Sequence, residues 1–244
     1  MPEQAPALFL REISVDWDGI PADSYLRKIP ALVSLRQLCF HRPVTFFTGE
    51  NGSGKSTLLE AIAVACGFNP EGGSRNYCFS TYDTHSELCR SLGLVKGCRA
   101  AKWGYFLRAE SFYNVATAEE AYSRYARRGS EEYHKRSHGE SFLHLVQQNF
   151  TGDSLYLLDE PEAALSPQRQ LTLLLELRRC VRAGAQFLIA SHSPILLGMP
   201  DAELLCFDGG RIHPCTYEET GSYRVTEMFV RRREQLLRQL FAGE

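Results

Sequence analysis

The 244-residue sequence lacks several features that mark large classes of proteins. It has no excess of charge of either sign, because 27 basic and 29 acidic residues give a net charge of −2. A basic field over the whole chain, for nucleic acid or an acidic membrane, is therefore not indicated. No run of 18 uninterrupted apolar residues occurs, so the sequence predicts no membrane-spanning helix. The first residues are acidic and poor in apolar side chains, and we expect no signal peptide.

The eight cysteines form no C-x-x-C pair and show no paired spacing. A zinc site lacks its ligand spacing, and a disulfide framework is not expected in a chain long enough to bury an ample core. We therefore expect reduced thiols and a cytoplasmic protein. The length and the 44% hydrophobic content fit a single α/β domain over residues 1–244, or one domain with an insertion.

Residues 46–63, FFTGENGSGKSTLLEAIA, carry the strongest local signal. The part from 49 to 56 fits G-x-x-x-x-G-K-[ST], between a predicted strand and an apolar pattern of helical spacing. Glycines let successive backbone N–H groups face phosphate oxygens, and the helix adds the positive end of its dipole. We interpret the segment as a phosphate cradle rather than a glycine turn, with Lys55 on the β- and γ-phosphates and Ser56 on Mg²⁺. The predicted nucleotide-binding residues are Gly49, Glu50, Asn51, Gly52, Ser53, Gly54, Lys55, Ser56 and Thr57.

Two adjacent carboxylates follow a long apolar run in SLYLLDEPEAALSP, residues 154–167. The run predicts a buried parallel strand that ends at Asp159. An aspartate in this position can hold the hydration shell of Mg²⁺, and Glu160 directly after it can polarise an attacking water as general base. The alternative is an acidic loop after a strand, which the adjacency of the two carboxylates disfavours.

A histidine follows the next predicted strand, in GAQFLIASHSPILL at residues 184–197. His192 lies 32 positions beyond Glu160, after one predicted helix at 166–183, so we expect it on the adjacent strand. Ligands of open α/β sheets bind at the carboxyl ends of the strands, where this histidine can reach a γ-phosphate. Taken alone, such a histidine is more often structural, but its position after Glu160 favours a role in the site.

A third motif, Ser137-His138-Gly139-Glu140, stands immediately before an amphipathic pattern at 141–150. A serine and a glycine at a helix start can form a second anion site through their N–H groups and hydroxyl. Ser137 and Glu140 also have the spacing of a capping box, so the motif alone leaves both interpretations open. We predict Ser137, Gly139 and Glu140 as further nucleotide-binding residues because the motif lies just upstream of the Asp159 strand.

Together and in this order, these motifs resemble those of ATP-binding-cassette (ABC) ATPases, specifically the soluble SMC/RecF-like group of predicted AAA-family ATPases, over nearly the whole chain. FTGENGSGKSTLLEAIA is similar to Walker A, RSHGES to the signature, LYLLDEPEAALSP to Walker B with the D-loop, and ASHSP to the H-switch. Transporter subunits typically carry L-S-G-G-Q in the signature, and the departure to S-H-G-E disfavours a transport role.

The resemblance implies Mg²⁺-dependent ATP hydrolysis, with ATP and Mg²⁺ as cofactors. It also implies a head-to-tail homodimer that sandwiches two ATP molecules, because the signature does not reach the Walker A site of its own subunit. For the fold we expect an α/β P-loop NTPase with a mostly parallel sheet, an antiparallel β-layer from residues 8–17 and a small helical subdomain at about 69–136. The period of apolar residues predicts a C-terminal helix at about 222–241, with its apolar face against the core.

Two residues that the resemblance implies have no clear match. An aromatic side chain usually stacks on adenine upstream of Walker A, and the candidates are Trp17 and Tyr25. A Q-loop glutamine usually follows a strand before the signature, but the predicted strand 104–107 is followed by Arg108 and Glu110. We take Glu110 as a substitute, with a surface charge as the alternative. The nearest glutamines are Gln147 and Gln148, after the signature.

The function within the cell remains open among three hypotheses: a soluble switch acting on nucleic acid or in defence, a transport cassette, and a nucleotide-gated scaffold for an effector protein. Nucleic acid is suggested by a basic, tyrosine-rich stretch at 119–136 and by the arginines at 231–233, which can bind phosphates while tyrosines stack on bases. A solvated helix face is the alternative for both. The residues of the stretch are Tyr122, Arg124, Tyr125, Arg127, Arg128, Tyr133, Lys135 and Arg136.

Overall fold

The computed structural model describes residues 8–74, 87–108 and 138–242. Within these ranges the strands are β1 Leu10–Val15, β2 Gln37–Cys39, β3 Val44–Thr48, β4 Gly73–Ser74, β5 Leu92–Lys96, β6 Trp103–Arg108, β7 Ser154–Asp159, β8 Gln186–Ala190, β9 Glu203–Cys206 and β10 His213–Pro214. The helices are α1 Pro30–Val33, α2 Lys55–Ala65, α3 His138–Asn149, α4 Pro167–Arg182, α5 Pro194–Leu197 and α6 Gly221–Phe241. Short 3₁₀ turns lie at Tyr25–Lys28, Glu87–Ser91, Pro161–Ala164 and Tyr217–Glu219.

A seven-stranded sheet in the order β10-β9-β3-β8-β7-β6-β4 forms the centre of the domain. Its five inner strands run parallel, and the edge strands β10 and β4 are antiparallel to their neighbours. The mostly parallel sheet expected from the sequence is confirmed. Strands β3, β7 and β8 are buried at every position, which explains why they read as continuous apolar runs without alternation.

Two hydrophobic clusters cover the two faces of this sheet. Phe47 of β3 packs into the cluster that includes α2 and the second sheet, whereas its neighbour Phe46 points into the cluster that includes α3 and α4. This alternation follows from the pleat of the strand, which sends successive side chains to opposite faces. Because both faces are covered, only the two ends of the parallel strands are open to ligands.

The second sheet is three-stranded and antiparallel, in the order β2-β1-β5. The antiparallel layer expected from residues 8–17 is therefore confirmed. The buried side chain of Gln186 in β8 joins this layer to the central sheet, because its Oε1 accepts hydrogen bonds from the N–H groups of Phe9 and Leu10 and its Nε2 donates to the carbonyl of Leu10. A buried amide with three such bonds fixes how the two sheets lie on each other.

Of the stretch at about 69–136 that was expected to form a helical subdomain, the structure describes residues 69–74 and 87–108, and these form strands and a 3₁₀ turn. β5 pairs with β1, and β6 pairs in parallel with β7 in the central sheet, so residues 92–108 belong to the sheets. Pairing with existing strand edges satisfies the backbone of these short apolar segments, which are too short to bury themselves as helices. The rest of the stretch, at 75–86 and 109–137, lies outside the described residues, as does the basic, tyrosine-rich sequence at 122–136.

The C-terminal helix is confirmed at Gly221–Phe241, but its apolar face does not pack against the core as predicted. Its first turns contact α5 and the 3₁₀ turn at 217–219, and none of its residues is buried. The helix bends at Arg232, where φ is −133°. An amphipathic pattern predicts which face of a helix is apolar, but it does not predict which surface packs against that face. The exposed apolar side chains are Val225, Met228, Phe229, Val230, Leu240 and Phe241.

Among the described residues, no helix has the length and the apolar character needed to cross a bilayer.

Candidate active site

The motifs predicted from the sequence meet at one edge of the central sheet. The loop 49–54 follows β3, Asp159 ends β7, and His192 lies two residues beyond β8. In the parallel register Ala190 of β8 lies between Phe47 of β3 and Asp159 of β7, so these strand ends are direct neighbours. Carboxyl ends of parallel strands always lie at the same edge, and this is where open α/β sheets bind ligands.

The loop after β3 requires glycine at two close approaches. Gly49 and Gly54 have φ values of 135° and 100°, which residues with a Cβ rarely adopt. A Cβ on Gly54 would lie 2.9 Å from side-chain carbons of both Ile29 and Leu32, so α1 and the residue before it press directly on the loop. The loop is therefore held from outside, and the N–H groups at the start of α2 face the space that it encloses.

Lys55, the first residue of α2, is folded into this loop. Its side chain is 4% exposed, and its Nζ donates to the carbonyls of Gly49 at 2.9 Å and Glu50 at 2.7 Å. Burial lowers the pKa of Lys55, and nearby carboxylates, first that of Glu160, oppose this effect. The ammonium thus occupies the space in which the loop would surround a phosphate, and it has anionic neighbours on the opposite side.

Ser56 and Asp159 form the next contact along the edge. The hydroxyl of Ser56 donates to Oδ1 of Asp159 at 2.8 Å, although the two residues are 103 positions apart in the chain. A hydroxyl and one carboxylate are hard oxygen ligands, and Mg²⁺ in nucleotide sites is held by few protein ligands together with phosphates and waters. The two residues therefore fit Mg²⁺, whereas the described residues contain no cluster of three or more carboxylate, histidine or cysteine ligands.

Glu160 and His192 lie beside each other at the open side of the edge. The Nε2 of His192 is 3.8 Å from Oε1 of Glu160. Glu160 has left-handed backbone angles (φ 49°, ψ 51°), which turn its side chain away from the strand and leave it 44% exposed. Burial, and then the charge of Lys55, lower the pKa of His192, so a neutral imidazole is favoured near pH 7. Its buried Nε2 has no hydrogen-bond partner among the described residues.

Glu162, which is not one of the predicted site residues, connects the loops that carry these two residues. Its Oε1 accepts hydrogen bonds from the hydroxyl of Ser191 at 2.9 Å and from the N–H of His192 at 2.6 Å. A second connection runs from the hydroxyl of Ser193 to the side chain of Gln170 in α4. Only tertiary contacts reveal these links, because no local sequence pattern joins residues about 30 positions apart.

Two segments of the chain match family models. Residues 31–100 match a model described as "AAA domain", and residues 135–198 match one described as "AAA domain, putative AbiEii toxin, Type IV TA system". The first match contains the loop 49–56, and the second contains Asp159, Glu160 and His192. The chain is a P-loop ATPase with two segments similar to AAA domains. It binds ATP through this fold, as the sequence predicted.

Curated and solved relatives of the ATPase are distant. An ABC transporter ATP-binding/permease protein of Mycobacterium tuberculosis is 26% identical over 193 residues, which cover 70% of this chain and 22% of that protein. The chain thus spans about a fifth of that relative. An SMC head domain from Thermotoga maritima (TM-score 0.45, 15% identity, 86% of this chain and 99% of that one) is similar in structure. So is an ATP-binding cassette of an ABC transporter in its ADP conformation (TM-score 0.47, 16% identity, 91% and 98%).

The signature region of the ATPase is described from His138 onward, and Ser137 lies outside the described residues. Gly139 is buried in the first turn of α3, where a Cβ would lie 2.8 Å from the carbonyl of Ala164 and 2.7 Å from Nη1 of Arg169. The carboxylate of Glu140 accepts a 2.8 Å hydrogen bond from Arg169 of α4. Both residues therefore fix the start of α3 against the turn that follows Glu160.

The structure decides between the two aromatic candidates for adenine stacking. Trp17 is 7% exposed in the core, and its Nε1 donates to the carbonyl of Leu35 at 2.8 Å. That part of the prediction is wrong, because the indole is already enclosed by apolar neighbours. Tyr25 is exposed and begins the 3₁₀ turn that leads into Ile29, which presses on Gly54. Tyr25 stays a candidate.

The position expected for a Q-loop glutamine holds Arg108, the last residue of β6. Its Nη1 is 2.7 Å from Oε2 of Glu60 in α2, and its Nε is 3.6 Å from Oδ2 of Asp159. Glu110 lies outside the described residues. Gln147 and Gln148 belong to α3, where the side chain of Gln147 donates to Glu176 of α4.

Asp208, which belongs to none of the sequence motifs, supports the P-loop. It follows β9, and its Oδ1 accepts a 2.9 Å hydrogen bond from the N–H of Glu50. A Cβ on Gly49 would lie 2.8 Å from the same oxygen. The carboxylate thus orients the loop, although its charge repels a phosphate.

We expect Asp208→Ala to bind ATP about tenfold more weakly than Asp208→Asn, because asparagine keeps the acceptor for Glu50 and loses the charge, whereas alanine loses both. Isothermal titration calorimetry of the two variants measures the difference with the charge matched. Equal affinities would show that the hydrogen bond to Glu50 does not support nucleotide binding.

Proposed function

We propose that the ATPase hydrolyses ATP with Mg²⁺ and that ATP holds two copies of the chain together as a homodimer. The observation that carries the proposal is the convergence of five side chains on one sheet edge from three separate strands. Lys55 would contact the β- and γ-phosphates, and Ser56 and Asp159 would hold the Mg²⁺ shell. Bound Mg²⁺ would neutralise charge on the phosphate oxygens. Glu160 would be the general base and His192 the γ-phosphate contact.

The position of Glu160 supports its role as base. Its carboxylate is nearly half exposed, so a water can reach it, and it directly follows Asp159 in a left-handed backbone conformation. A general base acts within hydrogen-bond reach of the water whose proton it accepts. The 3.8 Å between Glu160 and His192 leaves that carboxylate free of a direct hydrogen bond to the imidazole.

The state of His192 supports its role at the phosphate. A lowered pKa favours a neutral ring, and a neutral ring whose Nε2 carries the proton donates to an oxygen without adding a full charge. Glu162 holds the backbone of this residue at 2.6 Å, so the ring is attached to the same turn that positions Glu160. Glu162 therefore links the segment of His192 to the turn that follows Glu160.

The dimer is supported by the start of α3. Its first N–H groups have no partner within the helix and carry the positive end of the dipole, which suits an anion. Gly139 presses against Ala164 and Arg169, and Glu140 is paired with Arg169, so the segment is rigid within its own subunit. We propose that Ser137 and Gly139 contact the γ-phosphate bound by the partner, with Glu140 as a support of that contact.

For the cellular role we propose a cytoplasmic switch that acts on nucleic acid or in defence. Two observations support it: the S-H-G-E signature, and the exposed arginines 231–233 of α6. The second family model names a toxin of a toxin–antitoxin system in its description, which agrees with a defence role. The transport alternative is favoured by the similarity to the mycobacterial transporter protein. An effector protein as partner is the third alternative, and the exposed apolar side of α6 favours it.

Glu160→Gln should retain ATP binding, and its rate of phosphate release should fall by about 10²–10⁴-fold, because the amide cannot accept the proton of the attacking water. Phosphate release and ATP affinity are measured on the same preparation. Lys55→Ala is the matched comparison, since it should lose affinity itself. Phosphate release near the wild-type rate in Glu160→Gln would remove this residue as the base.

Glu160→Gln with ATP and Mg²⁺ should be a dimer in static light scattering, and with ADP it should be a monomer, because the γ-phosphate is the shared group. Adding Ser137→Arg should abolish the dimer and leave ATP binding to each monomer intact, since a bulky cation cannot occupy the helix start. A double variant that still dimerises only with ATP would show that Ser137 is a helix cap rather than a contact to the partner's nucleotide.

If α6 binds nucleic acid, the affinity for a labelled DNA duplex should fall steeply with salt, because each arginine that contacts a phosphate releases counterions. Replacing Arg231, Arg232 and Arg233 by glutamine should reduce the slope of log affinity against log salt by about 2–3. Fluorescence anisotropy with ATP at several salt concentrations measures both. An unchanged slope would assign these arginines to solvated surface.

A further inference from the structure

Arg108 occupies the position from which a cation can reach the carboxylate assigned to Mg²⁺. In the parallel register of β6 and β7 it lies directly opposite Asp159. Its guanidinium lies between two carboxylates of different elements, with Nη1 2.7 Å from Glu60 of α2 and Nε 3.6 Å from Asp159. All three side chains are largely buried, with exposures of 25% for Arg108, 16% for Glu60 and 8% for Asp159.

The guanidinium offsets a concentration of negative charge at this edge. Besides Asp159 and Glu60, three more carboxylates lie at this edge. Those of Glu160, Glu162 and Asp208 are close enough to Lys55 to raise its pKa, and Asp208 also contacts the loop at Glu50. A buried carboxylate is costly without a nearby cation. Lys55 is held by the loop carbonyls, whereas the Nε of Arg108 lies 3.6 Å from the far oxygen of Asp159.

The carboxylate of Asp159 can therefore interact with two cations, a bound Mg²⁺ ion and the guanidinium of Arg108. Its Oδ1 accepts from Ser56, and its Oδ2 faces Arg108. A divalent ion bound by Ser56 and Asp159 would lie near the guanidinium and repel it, whereas an arginine cannot act as a metal ligand. The guanidinium keeps its ion pair with Glu60 when it moves away from Asp159. The forked geometry of arginine allows this, because Nη1 can stay at Glu60 while Nε leaves Asp159.

We propose that Arg108 is a positioning residue that holds Asp159 when Mg²⁺ is absent and competes with Mg²⁺ for this carboxylate. Arg108 thereby raises the Mg²⁺ concentration that the ATPase needs for tight nucleotide binding. When the ion binds, the guanidinium of Arg108 pairs with Glu60. This inference rests on the proposed Mg²⁺-nucleotide site and adds a control of the metal requirement by a residue of the chain.

The test measures the affinity of the full chain for fluorescently labelled ADP over a series of free Mg²⁺ concentrations. The quantity compared is the Mg²⁺ concentration that gives half of the maximal increase in affinity. Arg108→Gln should lower it about five- to tenfold, the order expected when a unit charge is removed near a divalent ion at a partly exposed site. Arg108→Lys keeps the charge and should stay within about twofold of the wild type.

Glu60→Gln provides a second variant that keeps the arginine. Without the carboxylate of Glu60 the guanidinium pairs with Asp159 alone, so the Mg²⁺ requirement should rise severalfold. In the double variant Glu60→Gln/Arg108→Gln this rise should largely disappear, which separates the effect of Arg108 from the lost charge of Glu60. Arg238→Gln, an exposed arginine paired with Glu234 in α6, is the control and should not change the requirement.

The melting temperature is a second measurement, and like the affinity for ADP it does not depend on ATP hydrolysis. Without nucleotide, Arg108→Gln should melt at a lower temperature than the wild type, because Asp159 and Glu60 lose their ion pairs with Arg108. Mg²⁺ with ADP should raise its melting temperature more than that of the wild type.

An unchanged or higher Mg²⁺ requirement in Arg108→Gln would overturn the inference while leaving the nucleotide site intact. If Arg108→Gln does not fold, a requirement that is unchanged in Glu60→Gln overturns it in the same way. Failure of the wild type to bind ADP at any Mg²⁺ concentration would overturn the proposed function, and this inference with it.

Discussion

The parallel pairing of β3, β8, β7 and β6 is the constraint on which the candidate site depends. It places the loop 49–54, His192, Asp159 and Arg108 at the ends of four neighbouring strands, although the residues span more than 140 positions of the chain. Backbone hydrogen bonds and two apolar clusters hold this register, because a shift by one residue would move every buried side chain to the opposite face. The position of the site residues therefore follows from strand pairing and core packing.

Charges of opposite sign meet at this edge of the sheet. Several carboxylates meet within a small, largely buried region, and the cations Lys55 and Arg108 offset them from inside the chain. The arrangement suits a Mg²⁺-nucleotide, since the phosphates meet Lys55 and the N–H groups of the loop while the metal meets the carboxylate. The same arrangement lowers the pKa of His192, because burial and the charge of Lys55 both disfavour the imidazolium.

Support of the site comes from residues that carry no motif. Asp208 orients the loop through Glu50, and Glu162 ties the segment of His192 to the turn after Glu160. Gln186 links the antiparallel layer to the central sheet. The exposed apolar side of α6 is the opposite case, a pattern that is present in the sequence and has no cover among the described residues. Polar side chains outside the motifs thus hold the site residues in place through hydrogen bonds. The apolar side of α6, in contrast, is exposed on the described surface.

Sequence patterns determined the strands and helices around the motifs, since buried parallel strands need continuous apolar runs and a phosphate loop needs glycines at fixed spacing. They also determined that Lys55, Ser56, Asp159, Glu160 and His192 follow adjacent strands. Only the tertiary structure decided that residues 92–96 join the antiparallel layer, that Trp17 is enclosed in the core, and that Arg108 faces Asp159. The physical reason is that strand pairing and ion pairs join residues far apart in the chain, and the geometry of such contacts leaves no periodic trace in the sequence.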